Sequence, residues 1–191
     1  PILTNINNEK LSEDDLVNFQ TLEDAIREKA EITCTYNGFD FLVKPLKLVL
    51  FEGFWYLLLL DSKKGNKFKK FHLKSIKDIK RSGDKFELSS ELDERVKAMN
   101  SAWANLEAPK IARLLLAPEV AKYFERKPHA KQRITGQDSD GSVEIEIEFT
   151  HIMEIKPLIY YYLPFIKVLE PKELADEVKK DVSEYLKEIN F

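Results

Sequence analysis

Phe51-Glu-Gly-Phe-Trp-Tyr-Leu-Leu-Leu-Leu-Asp61 is followed within six residues by Lys67-Phe-Lys-Lys-Phe-His-Leu-Lys-Ser-Ile76, and this pair of stretches decides the fold. Glu52-Gly53 is a turn signal. Seven apolar residues in a row then lead to Asp61. A run this short and this apolar reads as a strand buried on both faces, and it is far too short to cross a bilayer. The second stretch is its chemical opposite, basic with aromatics set inside it. Together they read as a central hairpin turning through residues 63–66.

The same logic extends upstream. Residues 31–36 alternate, with Ile32, Cys34 and Tyr36 on one face, and Asn37-Gly38 is a strong hairpin signal. Residues 39–50 form the return strand, in which Pro45 implies an edge position or a bulge. Before these strands, Leu16, Phe19, Leu22 and Ile26 recur at helical spacing. Ser12 with Asp15, and Thr21 with Asp24, are candidate capping boxes, so one broken helix or two short ones are expected, ending near Lys29. Residues 1–10 are polar and read as a lead-in. Downstream, Ser82-Gly83-Asp84 is expected to turn the chain into a short fifth strand at residues 86–88. Five short strands with tight turns suit a small, strongly bent sheet or barrel.

Residues 91–106 read as a helix, with Leu92, Val96, Met99, Trp103 and Leu106 along a narrow apolar seam. That seam suits either a linker packed on its own domain or a partner helix. Pro109 marks a boundary. Beyond it the pattern is strand 111–116, helix from Pro118, strand 131–135, turn 138–141 and a strand in which Val143, Ile145, Ile147 and Phe149 alternate with glutamates. A helix at 153–163, a strand at 166–169 and a long final helix complete β-α-β-β-α-β plus one helix, the split ferredoxin-like arrangement. Tyr160-Tyr-Tyr162 falls on the first of these helices. Three consecutive positions cannot share one helical face, so at least one ring is exposed or at an interface.

The chain has 191 residues, 43% hydrophobic and 33% charged, and a net charge of -3. It is long enough for one large domain or two small ones. The acidic balance argues against a protein that coats nucleic acid over its whole surface. Yet residues 63–85 hold ten basic side chains against Asp78 and Asp84, a basic island. The single cysteine, Cys34, excludes an internal disulfide and fits a reducing cytoplasm, and no signal peptide or membrane span is visible. A cytoplasmic location is expected. The chain opens at Pro1 without an initiator Met and is read as a piece of a longer protein.

No catalytic constellation stands out. His72, His129 and His151 form no metal-ligand pair, no Gly-x-Ser-x-Gly or phosphate loop is present, and Cys34 lies on an apolar strand face as a core thiol. No enzyme activity, cofactor or metal is expected. The basic strand is the better candidate, because ammonium groups attract phosphate and exposed rings stack on bases. Lys67, Lys69, Phe71 and Leu73 share one side of an ideal strand, and Phe68, Lys70 and His72 the other. Alternation alone does not say which side faces inward. The competing reading makes Phe68 or Phe71 core and the lysines a soluble edge. Lys67 and Lys74 join the candidate ligand set as cations of this strand. His72 would carry a charge that responds to pH near neutrality, its positive form pairing with phosphate.

Trp55-Tyr56-Leu57 resembles the tripeptide that names the WYL domain, a ligand-sensing module of bacterial transcription regulators. Three flanking pieces fit in order: Leu22 to Ile26 with Ile32 to Tyr36; Val43-Lys-Pro45-Leu46; and Lys69-Lys-Phe71-His72-Leu73-Lys74-Ser75-Ile76. Lys69 and His72 stand where the family usually has Arg, and Ser75 replaces a third. Residues 129–132, the turn to Gly141 and residues 168–174 resemble the C-terminal extension found in these regulators. The resemblance implies an α+β chain: an N-terminal helix and Sm-like five-stranded barrel over residues 1–90, a linker helix over 91–108 and a ferredoxin-like extension over 109–191. It implies a polar pocket lined by Tyr36, Tyr56, Lys69, His72 and Ser75, with a nucleic-acid-like effector: single-stranded DNA or a nucleotide. It also implies a homodimer that meets promoter DNA through an N-terminal winged helix-turn-helix, which these residues do not contain. The alternatives are a protein-interaction or dimerisation module with a degenerate pocket, and a nucleic-acid-processing enzyme or its accessory subunit.

Overall fold

The computed structural model describes residues 7–189, which divide into two compact units that meet in sequence between Ala102 and Trp103. The first begins with helix α1, Glu13–Glu28. Ser12 and Asp15 close a reciprocal capping box at its start, and Lys29 ends it in the left-handed region. The helix is single and unbroken. Thr21 caps nothing, because its hydroxyl donates back to the Val17 carbonyl at 2.8 Å. Leu22 and Ala25 are fully buried, with Phe19 and Ile26 beside them, while Leu16 stays exposed.

Five antiparallel strands follow: β1 Ala30–Tyr36, β2 Phe39–Phe51, β3 Phe54–Asp61, β4 Lys67–His72 and β5 Ile76–Lys85, in sheet order β4-β3-β2-β1-β5. The hairpin turns are set by Asn37-Gly38 and Glu52-Gly53, all four residues at positive φ, the geometry that matches the twist of paired strands. Pro45 sits at a bulge in β2, opposite β3, which bends the long strand so that its first half pairs with β1 and its second with β3. The fifth strand differs from expectation. It runs straight through Ser82-Gly83-Asp84 by irregular pairing with β1, and Phe86 lies buried just past its end.

One core cluster gathers Leu22, Ile32, Val43, Leu57, Leu59, Phe71, Leu73 and Ile76 beneath α1. Leu58 and Leu60, on the opposite face of β3, are buried too, so the run reads correctly as a strand covered on both sides. Trp55 meets Phe19 of α1 edge-on at 4.9 Å. Cys34 is buried, and burial, then the charge of Asp40, pushes its thiol up to about 11. Thiolate is the reactive form, so Ellman's reagent at pH 8 is expected to leave Cys34 unmodified in the folded protein and to titrate one thiol in urea. Fast modification of the native chain would contradict this packing.

Helix α2 covers only Ser90–Lys97, capped by the Ser89 hydroxyl on the Leu92 amide, and it packs on β2. The expected seam of residues 91–106 therefore breaks at Ala98; Met99, Trp103 and Leu106 lie outside the helix. Asn100 and Ser101, which favour turns over helix interiors, follow at once.

The second unit contains β6 Lys110–Leu116, α3 Pro118–Arg126, β7 Gln132–Gln137, β8 Val143–Phe149, α4 Lys156–Tyr161, β9 Ile166–Glu170 and α5 Lys172–Ile189. Its antiparallel sheet runs β7-β8-β6-β9, so each β-α-β connection skips over one intervening strand. Val143, Ile145, Ile147 and Phe149 are buried against Leu114, Phe124, Ile159 and Leu174. The tyrosine triplet divides by face. Tyr160 donates to Asp181, Tyr161 is exposed, and Tyr162 packs on the Phe124 ring. Lys156 is buried between Asp181 at 2.5 Å and Glu177 at 3.4 Å, and its pKa is raised, mainly by the bond to Asp181.

Candidate functional site

The β3–β4 register settles the question that alternation left open. Leu57 pairs with Phe71 and Leu59 with Lys69, and this side faces the core; Tyr56 pairs with His72 on the other. Phe71 stacks on the Tyr36 ring at 3.9 Å, nearly parallel, and on Phe41 edge-on at 4.8 Å. The reading of Phe71 as core is therefore right. Tyr36 is a core-edge ring whose hydroxyl oxygen accepts the His72 backbone N–H at 3.3 Å.

Lys69 lies on this inner side, at the rim of the core. Its ammonium sits 2.8 Å from the Asp61 carboxylate and 4.5 Å from the Phe41 ring centre. Asp61 is almost wholly buried. Its Oδ1 accepts the Lys63 amide; its Oδ2 meets no hydrogen-bond donor in good geometry, and the Lys69 ammonium neutralises it. Burial pushes the Asp61 carboxyl up, but Lys69, the Lys63 N–H and the charge of Lys64 outweigh it and hold the group below the usual aspartate range. Lys69 is thus committed to a structural ion pair, three residues and one pleat away from His72. Lys67, at the far end of β4, is exposed.

What gathers on the other side is smaller. His72 has Tyr56 edge-on at 5.7 Å and Phe54 edge-on at 5.8 Å. Lys74, in the short 3-10 turn Leu73–Ser75 after β4, brings its ammonium to the same place. Ser75 is half-buried in that turn. The Tyr56 hydroxyl is raised by desolvation first, then by the charges of Glu52 and Glu9. Of the sequence candidates, Tyr56, His72 and Lys74 meet here and Tyr36 borders them through the His72 amide. Lys67 and Lys69 stand apart.

Two contributors escaped sequence reading. Phe54 looked like one more apolar residue of the strand. Glu9 belonged to a stretch read as a lead-in, yet Asn7–Glu9 is seated on the β2–β3 turn, with the Glu9 amide donating to the Gly53 carbonyl at 2.7 Å. The Glu9 carboxylate faces His72 Nε2 at 3.1 Å and Lys74 Nζ at 3.8 Å, and its other oxygen accepts the Trp55 N–H at 2.6 Å. The remainder of the lead-in, residues 1–6, lies outside the described residues.

Fold and site together define an antiparallel β module with a ring-walled cationic cradle on one face, joined to a split β-α-β unit. Comparison with known families identifies both: the chain carries a WYL domain over residues 17–81 and a WCX domain over residues 109–186. The resemblance seen in Trp55-Tyr56-Leu57 and its flanking pieces is borne out. Among curated proteins, the chain is similar to a polyribonucleotide nucleotidyltransferase of Campylobacter concisus, 32% identical over 119 residues, covering 56% of this chain but only 16% of that protein. Among solved structures it is similar to a CRISPR Cas-related protein, with 13% identity and a TM-score of 0.62, over 93% of this chain and 53% of that one. It also matches proteasome accessory factor B/C of Arthrobacter aurescens, with 15% identity and a TM-score of 0.40, over 97% of this chain and 29% of that one. The chain therefore spans a minor part of its curated relative and about half or less of these structures. Among the described residues, no helix is long and apolar enough to cross a membrane, and no group of His, Cys, Asp or Glu could hold a metal ion.

Proposed function

We propose that this chain is the effector-binding and dimerising part of a bacterial transcription regulator. Its WYL domain binds a nucleic-acid-like ligand, single-stranded DNA or a nucleotide, at Tyr56, His72 and Lys74. Promoter DNA is read through a separate N-terminal domain, and the ligand acts by favouring one arrangement of two protomers over another. We infer further that the first unit is an Sm-like barrel and the second a ferredoxin-like domain; strand order β7-β8-β6-β9 supports the latter. The observation that carries the functional reading is the convergence of an imidazole, an ammonium and two rings, His72, Lys74, Phe54 and Tyr56, inside the WYL match. Cations that neutralise phosphate and rings that stack on bases are the two parts of single-strand recognition.

The test is a titration of fluorescein-labelled oligothymidylate of about eight nucleotides at several salt concentrations. One or two neutralised phosphates predict a log–log salt slope of about −0.7 to −1.4, and Lys74→Ala is expected to flatten it by about 0.7. Lys67→Ala should leave it unchanged. Absence of saturable binding, with a dimer in sedimentation, would favour the alternative, a dimerisation module whose pocket is degenerate. The match to a polyribonucleotide nucleotidyltransferase favours a second reading, an accessory part of an RNA-processing enzyme. Incubation with RNA and nucleotides tests whether the chain itself processes RNA, since the regulator reading expects no change in RNA length; tighter binding of RNA than of oligothymidylate would favour the accessory part.

A further inference from the structure

The cradle already holds an anion of its own. The Glu9 carboxylate is 8% exposed, although it comes from a segment outside every helix and strand. One of its oxygens lies between the His72 imidazole and the Lys74 ammonium and the other accepts a backbone N–H; the segment is anchored again through the Glu9 amide. An oxyanion held by an imidazole, an ammonium and a main-chain donor is the arrangement that would receive a phosphate oxygen pair. The turn beneath is shaped to admit the segment. Gly53 has φ +87°, and a Cβ there would stand 2.5 Å from the Asn7 carbonyl oxygen, so no other residue leaves room for the Asn7–Glu9 backbone.

We propose that Glu9 is a built-in competitor for the ligand: its carboxylate occupies the phosphate subsite formed by His72, Lys74 and the Trp55 N–H, and an anionic effector binds by displacing it. The proposal rests on the ligand-binding reading above and deepens it. It assigns the subsite's chemistry, a terminal or backbone phosphate with Phe54 and Tyr56 beside it for the base. It also makes the free protein a closed state from which only the open fraction binds, so apparent affinity is the intrinsic affinity scaled by that fraction. Of the other acids nearby, Glu52 bears on Tyr56 and Asp15 on Lys74 through charge alone, and Asp15 is bonded into the Ser12 cap. Among the described acids, Glu9 is the one whose carboxylate lies against both His72 and Lys74.

The experiment compares wild type, Glu9→Gln and Gly53→Ala in the oligothymidylate titration, with inorganic phosphate as a competitor. Glu9→Gln keeps the shape and an acceptor for the Trp55 N–H while removing the charge that pairs with His72 and Lys74. Gly53→Ala keeps the charge and removes the seat. Both are expected to tighten binding, by about tenfold for Glu9→Gln, and adding Lys74→Ala to Glu9→Gln should abolish the gain. In wild type, the Glu9 amide should exchange with solvent faster once ligand is bound, because displacement takes it off the Gly53 carbonyl, while the Trp55 amide stays protected by the phosphate oxygen that replaces the Glu9 carboxylate. Equal or weaker binding by Glu9→Gln, with wild-type binding still dependent on Lys74, overturns the competitor and leaves the ligand site standing. No binding by any of the three proteins overturns both. Circular dichroism of Glu9→Gln guards against a folding defect, and if Gly53→Ala unfolds, Glu9→Gln decides alone.

Discussion

Lys69→Ala is expected to lower the stability of the first unit by about 3 kcal/mol, an effect on folding rather than on ligand binding. The reason is Asp61. Its carboxylate is 1% exposed, and the ammonium 2.8 Å away is its compensating charge. Removing one member of a buried pair leaves the other charged in a poor solvent, and this costs far more than the pair was worth. The Phe41 ring loses its cation at the same time. With Trp103 replaced by Phe, Trp55 fluorescence reports the unit that contains it, and the urea midpoint should fall by about 2 M. Lys67→Ala, exposed on the same strand, should shift it hardly at all. The pH dependence has a definite sign. Asp61 has a folded pKa below its unfolded value, so its contribution is present above the ordinary aspartate pKa of about 3.9 and is lost as pH falls through the depressed value. Wild type should lose stability on acidification in that range, and Asp61→Asn, less stable at neutral pH, should lack this part of the loss. A Lys69→Ala protein as stable as wild type would mean that the carboxylate is solvated, contrary to its burial.

Much of the first unit was legible because its signals are local. Asn37-Gly38 and Glu52-Gly53 demand positive φ and tight turns, and both form them. The Ser12–Asp15 capping box closes where the spacing places it. What failed was a competition between local signals. Ser82-Gly83-Asp84 has turn composition, but pairing of residues 76–85 with β1 satisfies more backbone groups than a turn would, and an irregular register absorbs Gly83. Thr21 and Asp24 have capping spacing inside a continuous apolar stripe, and the stripe prevails: Phe19, Leu22 and Ala25 gain more by burial than a new N-cap could supply. The helix at residues 91–106 was overextended for the converse reason. An apolar seam without sustained burial does not hold a helix through Asn100 and Ser101.

The site was legible in kind but not in membership. Period-two alternation placed His72 and Lys69 on opposite sides, and no residue nearby says which side is core; that depends on Tyr36 and Phe41, contributed by β1 and β2. Asp61 ends an apolar run and reads as a strand boundary, whereas it is the buried partner that removes Lys69 from the candidates. Glu9 could not be found by pattern, because its contacts lie 46 and 63 positions away in sequence. The one available clue was Gly53. A glycine in a two-residue turn is explained by its φ, and its second constraint, the approach of the Asn7 carbonyl, appears only in three dimensions.

In the second unit, Ile145→Ala is expected to cost about 3–4 kcal/mol, while Ile134→Ala costs about 1 kcal/mol or less. The two isoleucines are register partners on adjacent antiparallel strands, so they share a sheet face and have the same β-propensity. They differ in cover. Ile145 sits on β8 between β7 and β6, opposite Leu114, and is 0% exposed; Ile134 lies on the edge strand β7 and is 51% exposed. If intrinsic strand preference held this sheet together, the two truncations would cost alike. If burial against Leu114, Phe124 and Leu174 does so, only the first opens a cavity, and the cavity adds to the lost transfer energy of the removed carbons. Urea unfolding followed by far-ultraviolet circular dichroism, together with amide exchange across residues 143–149, measures both variants on one scale. The expected pattern is accelerated exchange along β8 for Ile145→Ala and near-native protection for Ile134→Ala. Equal destabilisation by the two would move the organising contacts of this unit from its covered face to its open edge.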